Sequence, residues 1–493
     1  MLHFSRFLLF AIAIFLPMAD LGASEKPNTQ KPNIIWVVIE DMSAHFSSYG
    51  ETTIQTPHID SLAAEGVKFT NAYVTAPVCS TCRSALITGM YQTSIGAHHH
   101  RSGRGELKIQ LPSHVKLIPE YFQEAGYWTC NMGTPNGSPK LGKTDYNFEW
   151  DEAVYNGSDW ADRKPAQPFF AQIQLHGGKL RSGKNWQQRV NEKLGSATDP
   201  ADVKLPPYYP DDKVLREDWA AYLDTVRWTD HEVGELIARL KKEQILDETY
   251  IFLITDHGIS HARGKQFCYQ EGMHIPLIVH GPGLFGNVVR DDVVLQIDMA
   301  ASSMGFAGIE IPDYLQSKNL FADDYRARDY VVSARDRCDE TVDRIRGVTN
   351  GRFKYIRNFH HERPYLQPNA YKDAKPILIR LNELADAGKL NKHQMLQMAD
   401  SRPKEELYDM QNDPWELKNL AGDPYYSDML ERMRGNLHEW IETTGDLGAQ
   451  PEGKMYDSDM AVYLNTIKRR HPDRADIIQR NIDQMKAWEA AGK

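Results

Sequence analysis

Asn33-Ile34-Ile35-Trp36-Val37-Val38-Ile39 is a continuous apolar run, rich in β-branched residues, that stops at Glu40-Asp41. A strand with one wet face alternates apolar with polar residues. This one has no polar side to offer water, the pattern of a strand covered on both faces of a parallel sheet. In open α/β sheets ligands gather beyond the carboxyl ends of the strands, so two carboxylates at that end mark a site as well as a fold. Tyr250-Ile251-Phe252-Leu253-Ile254 repeats the pattern and delivers Thr255-Asp256-His257-Gly258. Phe169-Phe170-Ala171-Gln172-Ile173-Gln174-Leu175 ends in His176-Gly177-Gly178-Lys179, and Ile275 to Val279 reads as one more buried strand.

Helical patterns fill the intervals. Thr56-Pro57 opens a helix that Gly66 closes, with a strand following through Phe69. Val115 to Ala125 has a helical look and stops at Gly126; residues 126–148, around Gly133-Thr134-Pro135-Asn136-Gly137-Ser138-Pro139, read as loop. A polar, Pro-rich excursion spans 180–213, and Leu215 to Lys242 is amphipathic through Leu223, Val226, Val233, Leu236, Ile237 and Leu240. The fold class is therefore α/β, a large mainly parallel sheet flanked by helices. Beyond Arg344 the pattern changes. Phe353 to Arg357, a turn at Asp409 to Asp413 and a charged helix from Tyr426 to Thr443 describe a smaller C-terminal α+β subdomain. The expected organisation is a signal peptide at 1–23, a catalytic domain at 32–343, the subdomain at 344–457 and a polar helical tail at 458–493.

Composition narrows the function. The 493 residues are 41% hydrophobic and 25% charged, with a net charge of −10, which disfavours nucleic acid or anionic lipid as partners and requires a local basic pocket for any anionic substrate. At the N-terminus, Arg6 precedes an apolar run from Phe7 to Met18 and then Leu21-Gly22-Ala23. That run is about a dozen residues, short of the roughly 20 that span a bilayer, so it reads as a secretion signal and the protein as secreted or periplasmic, with no membrane anchor. Five cysteines are too few for a disulfide scaffold, and an odd number in an exported chain asks for one special thiol.

Cys79-Ser80-Thr81-Cys82-Arg83-Ser84-Ala85-Leu86-Ile87-Thr88-Gly89 supplies a candidate. A nucleophile at a helix start with an arginine one turn on favours an oxyanion, and the helix is expected to run to about Tyr91. Cys79-x-x-Cys82 also permits a redox pair, but no thioredoxin-like context surrounds it. Glu40, Asp41, Asp256 and His257 at strand ends offer carboxylates and an imidazole suited to a hard or borderline divalent cation, calcium or magnesium before manganese. His98-His99-His100-Arg101 and Arg335-Asp336-Arg337-Cys338-Asp339-Glu340 read as loops at the rim of such a site, the histidine run alternatively as a metal tract.

These blocks together resemble the type I, formylglycine-dependent sulfatases of the alkaline phosphatase-like superfamily. The Cys79–Gly89 stretch is similar to the family's maturation signature, and Thr56 to Tyr73 to its Thr-Pro-(helix)-Glu-Gly-Val-x-Phe-x-Asn-x-Tyr run. Lys265 to Gly272 is similar to the Gly-Lys-x-x-x-Tyr-x-x-Gly block, and Glu406 to Leu420 to the C-terminal signature. The resemblance implies that Cys79 is oxidised to 3-oxoalanine (formylglycine) by a formylglycine-generating maturation enzyme. It implies one Ca2+ held by Glu40, Asp41, Asp256, His257 and the modified Cys79. It also implies Arg83 on the formylglycine hydrate, Lys143 and Lys265 on the sulfate, and His176 or Lys179 as the acid for the leaving group. The implied reaction is hydrolysis of a sulfate ester (or N-sulfate) of a sulfated carbohydrate. The alternatives are a phosphate or phosphonate ester hydrolase of the same superfamily, and a silent homologue that only binds sulfated glycans. This chain departs from the family pattern at several places: Thr81 stands for the usual proline, Glu40 for aspartate, His257 for asparagine, Asp145 for histidine and Lys179 for the second histidine of His-x-x-His.

Overall fold

The run that ends at Glu40-Asp41 is strand β1 (Asn33–Ile39), buried at all seven positions. The computed structural model describes residues 31–450 and 452–493, so the expected signal peptide falls outside the described residues. The other strands of the large sheet are β2 (Val67–Tyr73), β3 (Trp128–Met132), β4 (Phe169–Leu175), β5 (Thr249–Thr255), β6 (His274–His280), β7 (Val288–Arg290) and β8 (Val294–Leu295). Their order is β3-β4-β1-β5-β6-β2-β7, with β8 also paired to β2. All pairings are parallel except those of β6, which runs against both β5 and β2. Two reversals restore the direction, so β2, β3, β4, β1 and β5 all point the same way. Their carboxyl ends share one edge of the sheet.

The helices are α1 (Pro57–Ala64), α2 (Cys79–Thr88), α3 (Ile118–Glu124), α4 (Trp186–Leu194), α5 (Lys213–Lys242), α6 (Gln270–Met273), α7 (Asp298–Phe306), α8 (Ala370–Asp373), α9 (Pro376–Asp386), α10 (Ser427–Thr444), α11 (Asp459–Arg470) and α12 (Pro472–Ala490). Alternate residues of β1 enter two cores. Ile35, Val37 and Ile39 pack with Leu223, Val226, Val233 and Leu236 of α5. Ile34, Trp36 and Val38 pack with Leu86 of α2, Phe122 of α3 and Met299 of α7. Helices on both faces are why the strand has no polar side.

A second sheet, in the antiparallel order β12-β11-β10-β9, is built from β9 (Val331–Arg335), β10 (Ile345–Thr349), β11 (Phe353–Asn358) and β12 (Glu405–Asp409). Helix α10 lays Leu430, Met433, Leu437 and Trp440 on it, and α11 and α12 bury Met460, Leu464, Ile478 and Ile482 with Ala370 and Met455. The edge strand β9 lies upstream of residue 344. Pro32 to Lys493 forms one compact unit. Among the described residues, no helix is long and apolar enough to cross a membrane.

Several local expectations need correction. Residues 126–148 are not all loop: Trp128-Thr129-Cys130-Asn131-Met132 is β3, its polar side chains satisfied by Thr129 Oγ1 donating to Val154 O (2.8 Å) and Asn131 Nδ2 to Gly142 O (3.2 Å). The 180–213 excursion contains α4, anchored by buried Trp186 and Val190. Helix α3 starts at Ile118, with Pro119 in its first turn. Helix α2 stops at Thr88 rather than Tyr91, because Gly89 takes a left-handed conformation (φ +66°) that closes the helix.

Candidate active site

Strands β4, β1 and β5 are neighbours, so their ends place His176-Gly177-Gly178-Lys179, Glu40-Asp41 and Asp256-His257 side by side. Asp41 leaves β1 in the left-handed region (φ +50°), and its backbone N–H donates to Asp256 Oδ1 at 3.0 Å. Gly178 N–H donates to Glu40 O (2.8 Å), and a Cβ on Gly178 would lie 2.1 Å from Asp41 O. The glycine pair thus lets the chain hug β1 and turns Lys179 inward. From beyond β2, Cys79 arrives as the first residue of α2, all ten residues of which are buried. A group at a helix start meets the positive end of the dipole.

Everything converges on Cys79 Sγ. Lys265 Nζ lies 3.0 Å away, His257 Nε2 3.1 Å, Asp41 Oδ1 3.6 Å and Lys179 Nζ 3.8 Å. Burial alone raises the thiol, yet Lys143, Lys179 and Lys265 together bring it down to about 6. Arg83 holds the floor of the site. Its Nε donates to Asp256 Oδ2 (3.2 Å), Nη1 to Gln174 Oε1 (2.5 Å) and Nη2 to Glu40 Oε1 (3.5 Å). Glu40 also pairs with Lys143 (2.8 Å) and Lys179, and Lys265 pairs with Asp41 (3.1 Å). Burial works against the charged forms of Asp41 and Asp256. It is outweighed at Asp41 by Lys265 and Lys179 and at Asp256 by His257 and Arg83, so both carboxyls titrate well below the usual range. Burial likewise disfavours the Lys179 ammonium, but Cys79, Asp41 and Glu40 raise its pKa and keep it protonated.

Asp41, Cys79, Asp256 and His257 offer ligand atoms that all lie within 4.8 Å of one another, and all four residues are buried. These are the residues that would hold a divalent cation such as Ca2+. The donor chemistry fits: two carboxylates are ionised throughout the neutral range. His257 donates Nδ1–H to Gly258 O (2.8 Å), which leaves Nε2 as the donor atom facing Asp41 and Cys79. Asp256 and Cys79 overcome burial and push His257 up to about 10. The Cys79 sulfur stands for the formylglycine oxygen that replaces it on maturation. Three carboxylates (Glu40, Asp41, Asp256) face four basic side chains (Arg83, Lys143, Lys179, Lys265), so a bound divalent ion would leave the site strongly positive and suited to an anion.

Of the ten residues given catalytic or metal-binding roles from the sequence, the structure brings together all but His176. Glu40 stands beside the ligand quartet, turned to Arg83, Lys143 and Lys179. His176 is exposed, and none of the hydrogen bonds or ion pairs that knit the site involves it. The loops expected at the rim are packed inside instead: His98 and His100 are buried, as is Arg335 to Glu340, and His100 N–H donates to Arg337 O at 2.9 Å. Of the histidine run only His100 joins a second ligand-bearing cluster, with Cys338 and Asp339, where Asp339 already pairs with Arg104 at 2.9 Å. Arg101 alone reaches the mouth, paired with Asp145 at 3.0 Å. Sequence reasoning missed Gln174 and Tyr371. Gln174 is a polar residue inside an apolar strand, a signal that could have flagged it. Tyr371 comes from α8 and donates its hydroxyl to Asp41 Oδ2 at 3.1 Å. No local motif announces it.

The Sulfatase family model matches residues 32–309, and the model for the C-terminal part of N-sulphoglucosamine sulphohydrolase matches residues 257–375. The chain is 33% identical over 479 residues to an ulvan-active sulfatase of Formosa agariphila, covering 88% of this chain and 78% of that one. It is 24% identical over 473 residues to N-sulphoglucosamine sulphohydrolase of Homo sapiens, covering 84% and 90%. Among solved structures, a 2-O GAG sulfatase shares the fold with a TM-score of 0.61 at 20% identity, covering 85% of this chain and 93% of that one.

Proposed function

The chain belongs to the sulfatase family, and from that premise we propose that it removes sulfate from a sulfated polysaccharide or its fragments, with Lys179 as the acid that protonates the leaving sugar. The observation that carries the reading is the convergence of Lys179, Lys265 and the calcium ligands on position 79. Asp41, Asp256 and His257 would hold calcium, which when bound would supply a Lewis acid for the sulfate oxygens. Formylglycine at position 79, formed from Cys79, would supply a hydrated aldehyde as the nucleophile, chemistry a cysteine or serine side chain does not offer. The chain's own side chains do the rest. Arg83 fixes position 79 against Asp256, and Lys143 and Lys265 neutralise non-bridging oxygens. Lys179 carries its proton on Nζ to the bridging oxygen and, once neutral, is the base within reach of position 79.

The 33% identity to a sulfatase active on ulvan supports a polysaccharide of that class. The short apolar run at Phe7 to Met18 supports export to the periplasm or outside the cell. Because α2 is wholly buried in the fold, the maturation enzyme must meet Cys79-Ser80-Thr81-Cys82-Arg83 before folding closes over it. The test is sulfate release from a panel of sulfated saccharides, run beside matched phosphate esters, with calcium supplied or chelated. Calcium-dependent sulfate release is expected. Preference for the phosphate esters, or no turnover by chain that carries the aldehyde, would contradict the reading.

A further inference from the structure

The cations around the site mouth differ in one respect. Arg101 is neutralised by Asp145 (3.0 Å), Lys143 by Glu40 (2.8 Å) and Asp145 (3.4 Å), Lys179 by Glu40, and Lys265 by Asp41 (3.1 Å). Lys375, at the N-terminus of α9, has no carboxylate oxygen within 4.0 Å among the described residues. Its ammonium donates only to Ser260 Oγ (3.1 Å) and lies 4.7 Å from the centroid of the Tyr371 ring. The same ring carries Lys265 Nζ at 5.1 Å, and the Tyr371 hydroxyl reaches Asp41 at 3.1 Å. Lys375 is therefore one aromatic ring away from the lysine that touches Cys79. A half-buried ammonium held by a hydroxyl and a π-face has its position fixed and no carboxylate in contact, Asp41 and Asp218 acting on it only from beyond 4.0 Å. Burial and the nearby Arg181 draw its pKa down to about 7 against the opposing pull of Asp41 and Asp218, and a bound anion would raise it again.

We propose that Lys375, fixed by Ser260 and Tyr371, is a subsite for a second anionic group of the substrate, a carboxylate or sulfate on the sugar unit adjoining the sulfate that is cleaved. This rests on the sulfatase reading and deepens it, making the preferred substrate at least a dianion.

The test separates the two readings by measuring binding apart from turnover. Calorimetry on calcium-loaded Cys79→Ser protein, with and without Lys375→Met, uses an aryl sulfate, a neutral-sugar monosulfate, that monosulfate linked to a uronate, and a sugar disulfate. Lys375→Met is expected to weaken the dianions by about tenfold or more and the monoanions by less than about twofold, with Lys375→Arg restoring most of the loss. Loss with the uronate alone identifies a carboxylate as the second charge; loss with the disulfate alone identifies a second sulfate. Equal loss for monoanions and dianions, or no loss at all, would overturn the subsite. Wild-type sulfate release is measured alongside. Its absence with dianion discrimination intact would sink the sulfatase reading and leave the subsite standing.

Discussion

Lys179 and His176 leave the same strand in the same turn, yet only Lys179 points at position 79, with its Nζ 3.8 Å from the sulfur. Replacing it by methionine keeps the apolar stem and removes the proton donor. Lys179→Met should lower kcat on a sugar sulfate by about 10²- to 10⁴-fold, and by much less on an aryl sulfate whose leaving group needs no proton. His176→Ala should leave both rates close to wild type. Steady-state kinetics on the two substrates checks this, and the reverse pattern would return the role to His176. At this scale the charged strand ends were legible because a carboxylate that follows an unbroken apolar run can only sit at the sheet edge. The choice between His176 and Lys179 was not. It depends on Gly177 (φ +46°) and Gly178 pressing the backbone onto β1, which residue types alone do not show. Tyr371 was invisible for another reason: it reaches Asp41 from a helix with no motif of its own, far along the chain.

Among the elements, β1 and its neighbours β4 and β5 carry the argument, since their register decides where the acids end. Gly178→Ala is the sharp probe of that register. The added methyl would meet Asp41 O at 2.1 Å, a backbone atom that cannot swing aside, so the turn must lift off β1. A loss of about 1–3 kcal/mol of stability is expected from such overpacking, together with weaker calcium binding; thermal melts and a calcium titration would read both. An unchanged melt and unchanged calcium affinity would show that the turn does not shape the site. Continuous apolar strands such as β1, β4 and β5 were legible from sequence because burial on both faces leaves no other pattern. β3 was not, because Thr129 and Asn131 are buried polar residues satisfied by side-chain bonds to the loop that follows. Helix α4 was hidden by the polar, exposed face it turns outward, with only Trp186 and Val190 buried.

For the whole molecule, the two cores on either side of one mixed sheet fix a single edge at which five loops meet, and the C-terminal elements close over that edge through Tyr371 and Lys375. The packing of the histidine run has a consequence for acid stability. Burial lowers His98, His100 and His261 to about 4 from 6.5, against the opposing pull of Asp446, Asp339 and Asp218. An unfolded imidazole takes up its proton near 6.5 and these only near 4. At these three sites the unfolded state binds more protons in that window, so their contribution to stability is full above about 6.5 and falls as pH drops toward about 4, while buried Glu232, Glu271 and Glu340, raised to about 7, contribute the opposite slope. Melting temperature measured across that range on wild type and His98→Asn isolates one such contribution: the variant should lose less stability, or gain more, than wild type as pH falls from about 6.5 to 4, and identical pH slopes would contradict the buried, neutral assignment of His98. The account as a whole rests on Cys79 being the precursor of its nucleophile, so the most direct measurement is the mass of the peptide containing position 79 in protein isolated from its own host. The predicted result is the mass of an aldehyde in place of the thiol; an unmodified cysteine throughout the population would contradict it.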